Sequence, residues 1–162
     1  MPYYNKGDYD RAIADYTKAI QLDPENGLYY KQRGVSYHEK RDYDRAIADY
    51  TKAIQLDPEN GLYYQQRGVS YHEKRDFDRA IADYTKAIQL VPGNSLYYQQ
   101  RGVSYHAKGD YDRAIADTTK AIQLNPNNPK YYTSRAMTYR AQGKAALAKA
   151  DEAKARSLGG GR

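Results

Sequence analysis

Residues 61–94 read GLYYQQRGVSYHEKRDFDRAIADYTKAIQLVPGN, and these 34 residues decide the fold. The preceding stretch, 27–60, differs from them at four positions only: Lys31/Gln65, Tyr43/Phe77, Asp57/Val91 and Glu59/Gly93. The same step runs outward in both directions. The string Tyr-Asp-Arg-Ala-Ile-Ala-Asp begins at Tyr9, Tyr43 and Tyr111, and Phe77 opens it with Phe; Pro24, Pro58, Pro92 and Pro126 keep the spacing, as do Gly34, Gly68 and Gly102. The chain therefore divides into a partial unit 1–26, full units 27–60, 61–94 and 95–128, and a last unit 129–158 with a tail 159–162 expected to be flexible. A period of this length marks a stacked repeat array, read here as one solenoid domain over 1–162.

Within a unit the apolar spacing is helical. Tyr64, Gly68 and Tyr71 share one face of a first helix expected over roughly 63–74, and Ala80, Ile81, Tyr84, Ala87, Ile88 and Leu90 do the same for a second over roughly 77–90. Asp76 stands where a carboxylate can cap the second helix, and Pro92 stops it. Each unit is then an antiparallel helix pair that buries too little to fold alone, so neighbouring pairs must stack. The fold class expected is all-α.

Composition removes several functions. With no Cys there is no disulfide, no thiolate metal site and no thiol nucleophile. No apolar stretch approaches the ~20 residues that cross a bilayer, and the first residues do not start a secretory signal; the chain reads as soluble, with the cytoplasm favoured. The net charge of +6 invites a nucleic-acid reading. Its location argues against one: residues 1–128 hold 18 basic and 18 acidic groups, so the 8 basic and 2 acidic groups of 129–162 supply the whole excess.

In its period, its helix-turn-helix unit and the pattern Tyr30, Gly34, Tyr37, Ala46, Tyr50, Ala53 and Pro58, the chain resembles the tetratricopeptide repeat family, in a bacterial-type tandem array. The resemblance covers essentially the whole length. It implies an α-solenoid, a right-handed superhelix of stacked antiparallel pairs whose first helices line a concave groove for extended peptides or partner helices. Two features depart from the family. Arg33, Arg67, Arg101 and Arg135 stand where it usually has Leu, and sixteen residues later every unit has Asp49, Asp83, Asp117 or Asp151. A guanidinium in that seam needs a carboxylate, so an interhelical pair is expected in each hairpin, against the alternative of unrelated surface charges. The second departure is an extra ring at Tyr29, Tyr63, Tyr97 and Tyr131, whose place the sequence leaves open between the inter-repeat seam and the surface.

Rotating each first helix by ~100° per residue gathers a stripe opposite the packing face. Its residues are Leu28, Lys31, Val35, His38 and Glu39; Leu62, Gln65, Val69, His72 and Glu73; Leu96, Gln99, Val103, His106 and Ala107; then Lys130, Thr133, Met137, Arg140 and Ala141. By the resemblance this side faces the ligand, a protein or peptide with apolar anchors and modest charge; the alternative is an inner wall that binds nothing. The family's known grip on acidic chaperone C-termini is not expected, since only Lys31 fits it while Val35, Gln66, Leu96 and Gln100 replace the other holding residues. Ser70 and His72 sit about 200° apart on their helix and cannot form a nucleophilic pair. His38, His72 and His106 are too widely spaced to share a metal ion and read as solvated groove residues. No catalytic residue, cofactor or metal is expected.

The two ends differ. Lys149 and Arg156 replace the isoleucines of earlier units, so a helix over 144–157 is expected to be the polar cap that ends the array. At the other end Tyr3 and Tyr4 match the end of a first helix that is mostly absent, which leaves Tyr9, Ala12, Tyr16 and Ala19 without a partner. Either the array continues in a longer chain or a second molecule covers residues 3–20. Two function classes follow: a peptide- or protein-binding scaffold, and an element that self-associates through its N-terminal half-repeat.

Overall fold

The computed structural model describes residues 8–159. Tyr3 and Tyr4, and the last three residues of the expected tail, lie outside the described residues. Among the described residues there are nine helices and no strand: α1 Tyr9–Leu22, α2 Gly27–Glu39, α3 Tyr43–Leu56, α4 Gly61–Glu73, α5 Phe77–Leu90, α6 Ser95–Ala107, α7 Tyr111–Leu124, α8 Pro129–Ala141 and α9 Ala145–Gly159. The chain forms two compact units, the first carrying α1 to α5 and the second α6 to α9.

Local chemistry sets the helix ends. The first helix of each repeat starts two residues before the spacing suggests, because Asn26, Asn60, Asn94 and Asn128 accept a hydrogen bond from the backbone N–H two residues on, at 3.1–3.3 Å. Second helices start as expected: Asp42, Asp76 and Asp110 accept from the backbone N–H of Arg45, Arg79 and Arg113 at 3.2–3.3 Å. Those arginine side chains also bond their caps, which holds the three carboxyls below the ordinary carboxylate value. The guanidinium groups lie 4.6–4.7 Å from the ring centres of Tyr37, Tyr71 and Tyr105, tying the cap to the preceding helix.

The turn inside each hairpin is the same. Arg41 and Arg75 adopt φ of 62° and 63°, where Gly109 and Gly143 adopt 80° and 75°. The N–H of the next residue returns to the helix in every case, as in Asp76 to the Tyr71 carbonyl at 2.9 Å. In the first two full repeats an arginine thus takes a left-handed conformation that suits glycine, a strain the later repeats avoid.

In the first unit, α2 packs on α3 and α4 on α5 within repeats, while α1 on α2 and α3 on α4 join neighbours. The second unit repeats the scheme with α6 on α7, α8 on α9, and α7 on α8 as the join. Helix pairs approach closely because Ala46, Ala53, Ala80, Ala87, Ala114, Ala121 and Ala148 are wholly buried. Gly34 and Gly68 leave room for the rings of Tyr50 and Tyr84: a Cβ at Gly34 would come 2.8 Å from Tyr50, and one at Gly68 2.9 Å from Tyr84.

Within the units the extra tyrosine, Tyr63 in the first and Tyr131 in the second, fills the seam between repeats, whereas Tyr29 is half-buried. Tyr63, Tyr97 and Tyr131 are buried. Tyr63 reaches back toward Gly27, where a Cβ would lie 3.4 Å from its hydroxyl oxygen, and Tyr131 bonds Ser95 at 3.0 Å. Tyr63 belongs to a cluster with Tyr30, Ala53 and Ile54, against which Ile20, Leu56 and Tyr64 pack. α9 keeps only Ala148 and Asp151 buried; Lys149 and Arg156 are exposed.

Candidate functional site

Every full hairpin contains the expected ion pair. Arg33 donates to Asp49 from Nε and Nη2 at 2.8 and 2.7 Å, and Arg67 to Asp83 at 2.8 Å from both nitrogens. Arg101 with Asp117 and Arg135 with Asp151 do the same at 2.7 and 2.8 Å. The carboxylates are buried, and the hydrogen bonds to them raise each guanidinium above its ordinary value. Three of the forks also carry a contact the sequence reading missed. Arg33 Nη1 donates to Thr17 Oγ1 at 3.1 Å, Arg67 to Thr51 and Arg135 to Thr119 at 3.0 Å, each threonine belonging to the preceding repeat. Thr17 and Thr51 spend their own proton on the carbonyl four residues back, at 2.7 Å, so their oxygens are free to accept. The signal was present: Thr17, Thr51, Thr85 and Thr119 recur at the repeat step.

The stripe opposite the packing face divides by depth. Leu28, Leu62 and Leu96 are 44%, 40% and 43% exposed, and Met137 is 59% exposed. Val35, Val69, Val103, Lys31 and Gln99 are half-buried, whereas Glu39, Glu73 and Arg140 are exposed. Arg140 is held by Glu152 through Nε and Nη2 at 2.8 and 2.9 Å. Gln65 differs from its equivalents in being buried. In each unit the stripe therefore shows one protruding apolar side chain per repeat, backed by a valine in the first two full repeats and the third, and rimmed by charge.

The histidines are half-buried, and two of them also bond the next first helix, a contact the sequence reading did not include. His38 Nδ1 lies 3.0 Å from Ser70 Oγ on the next first helix, and His106 Nδ1 lies 3.0 Å from Thr138 Oγ1. Their rings meet Tyr43 and Tyr111 at 5.2 and 5.3 Å, and His72 meets Phe77 at 5.2 Å. Burial holds the His38 and His72 imidazoles below the ordinary value, so both are neutral at physiological pH. His38 and His106 act as links between stacked first helices. The Ser70 hydroxyl beside His38 is wholly buried, so no carbonyl substrate can reach it. Among the described residues, no three His, Cys, Asp or Glu side chains gather as a metal set, and no helix is long and apolar enough to cross a membrane.

The candidate self-association residues sit on α1. Tyr9, Ala12, Tyr16 and Ala19 are half-buried; Ala46, Tyr50 and Ala53, the equivalents of the last three on α3, are wholly buried, whereas Tyr43 is half-buried like Tyr9. Tyr9 points its hydroxyl toward Glu39 at 3.5 Å.

Comparison with known proteins agrees with this architecture. A family profile described as tetratricopeptide repeat matches residues 28–60, 62–94 and 95–128, and a second of the same description matches 118–150. A TPR repeat profile matches 3–41. No curated protein sequence matches. Among solved structures, MamA is 27% identical with a TM-score of 0.88, over 94% of this chain and 90% of that one. The first TPR of Spaghetti (RPAP3), solved bound to the HSP90 peptide SRMEEVD, is 27% identical with a TM-score of 0.71, over 75% of this chain and 96% of that one. YrrB, described as a TPR protein with an unusual peptide-binding site, shares the fold at 22% identity and a TM-score of 0.79, over 93% and 78% of the two chains.

Proposed function

The chain belongs to the tetratricopeptide repeat family, and from that premise we propose that it is a protein-interaction scaffold which grips an extended peptide or partner helix along the first helices of its repeats. The observation that carries this reading is the repeated exposure of one large apolar side chain at the same position in three repeats, Leu28 and Leu62 in the first unit and Leu96 in the second, with Met137 exposed in the last repeat at the position the others give to valine. Exposed apolar groups set in register beside half-buried valines are what a helix-in-groove or extended-peptide ligand needs as anchor points. The RPAP3 domain is a peptide binder of similar fold. Its acidic ligand is not the one expected here, because Val35, Gln66, Leu96 and Gln100 offer no positive clamp.

Selection of a displayed random-peptide library on the intact chain tests the reading. Peptides carrying apolar anchors should emerge, and Leu62→Lys or Leu96→Lys, both at exposed positions, should weaken them by about tenfold or more. SRMEEVD serves as the contrasting ligand and should bind no better than a scrambled peptide. Recovery of no binder, or of binders indifferent to both substitutions, overturns the reading.

A second reading, self-association through α1, is favoured by the incomplete burial of Tyr9, Ala12, Tyr16 and Ala19. Light scattering over a wide concentration range should show a mass increase that Tyr16→Ser removes. A constant monomer mass sinks it.

A further inference from the structure

The second unit contains a cavity of about 60 Å³ between α6, α7 and α8, lined by Gly102, Val103, His106, Thr118, Met137 and Thr138 among others. Its origin is a single sequence departure. Tyr50 and Tyr84 in the first unit seat their rings, wholly buried, over Gly34 and Gly68. The equivalent of those tyrosines in the second unit is Thr118, while the glycine that faces it, Gly102, remains. The second unit thus keeps the glycine and lacks the ring: Thr118 Oγ1 and the Ala114 carbonyl lie 3.0 and 3.2 Å from where a Gly102 Cβ would stand, and Gly102 and Thr118 both line the cavity.

The walls say what the slot accepts. Thr118 Oγ1 donates to the Ala114 carbonyl at 2.7 Å, Thr138 Oγ1 to the Ser134 carbonyl at 3.1 Å, and His106 Nδ1 pairs with Thr138 Oγ1 at 3.0 Å. The Thr118 and Thr138 hydroxyls and His106 Nδ1 are therefore bonded within the protein and make little demand on a guest. An apolar cavity of this kind holds water poorly and takes a ring well. Its partly exposed lining residues are Val103, His106, Ser134 and Met137, so it opens on the α6/α8 face that also carries Leu96. Met137 at the rim is a flexible thioether suited to the edge of an aromatic ring.

We propose that this cavity is an anchor pocket for one aromatic side chain of a bound peptide, which supplies the ring that Thr118 omits. The proposal rests on the scaffold reading and gives it an anchor chemistry and a place.

Titration of the intact 15N-labelled chain with p-cresol and toluene, the side chains of Tyr and Phe, tests it by amide shifts. Shifts should concentrate at Gly102, Val103 and Thr138 and be lost in Thr118→Tyr, a substitution whose side chain the first unit accommodates twice. Met137→Ala, at an exposed position, should weaken the same shifts if Thr118→Tyr proves misfolded. Peptides selected on the native chain should carry an aromatic residue at one fixed place and lose about tenfold or more in affinity on Thr118→Tyr. Absence of localised shifts, or shifts unchanged by both substitutions, overturns the pocket. Peptides that bind without an aromatic residue and ignore Thr118→Tyr overturn it while the scaffold reading stands. Ring docking with no selectable peptide removes the scaffold reading and with it the pocket's role as a peptide anchor.

Discussion

Asp83→Ala is expected to destabilise the first unit by about 3–5 kcal/mol, since it leaves a guanidinium with no partner in the seam between α4 and α5. Arg67 donates two hydrogen bonds to Asp83 and one to Thr51, and its side chain keeps only 18% of its surface in water. With the carboxylate gone, the cation keeps one neutral acceptor and only the water that meets that small exposed fraction. Burial pushes the Asp83 carboxyl above its ordinary value against the pull of the Arg67 fork, so the seam tolerates the charge only because both ends of the pair are present. The double substitution Arg67→Met with Asp83→Leu removes both charges and should cost far less than Asp83→Ala alone, because paired apolar replacements avoid the stranded ion. Denaturant unfolding followed by amide exchange within the unit measures both. A loss below about 1 kcal/mol for Asp83→Ala would place this pair with ordinary surface pairs and defeat the argument.

The sequence showed that pair for a physical reason. Arg67 and Asp83 recur at every step on faces whose other residues are Gly, Ala and Tyr, and a repeated charge on an otherwise apolar face demands a partner. Helix count and order followed equally from the period and from Pro92 and Asp76. Residues whose role depends on the next repeat escaped. Thr51 looks like a neutral helix residue until the stack brings Arg67 beside it, and Ser70 looks like a mismatched neighbour of His72 until His38 arrives from the preceding first helix. Helical rotation alone placed the histidines toward solvent, since it describes one helix and is blind to the neighbour against which their rings lie. Tyr63 was ambiguous for the same cause: its seat is Gly27, one repeat earlier. Thr118 is the instructive residue, because its meaning lies in what the other repeats have in its place.

Tyr84→Ala is the second large loss expected, about 3–5 kcal/mol, as for other buried aromatic truncations. The Tyr84 ring is buried between α4 and α5, and that burial drives its hydroxyl well above the ordinary phenol value. Gly68 exists to admit it. A Cβ at Gly68 would meet the ring at 2.9, 3.1 and 3.2 Å, and since the ring has no open side it cannot swing away. Gly68→Ala in the native background should therefore destabilise by about 1–3 kcal/mol of overpacking, partly offset by about 1 kcal/mol of helix propensity. In the Tyr84→Ala background the clash is gone and only the propensity gain remains, so Gly68→Ala should there become stabilising. The sign reversal is the test. Were the two substitutions additive within about 0.5 kcal/mol, the glycine and the ring would be energetically independent. The close approach of α4 and α5 would then need another cause than the ring that Gly68 admits.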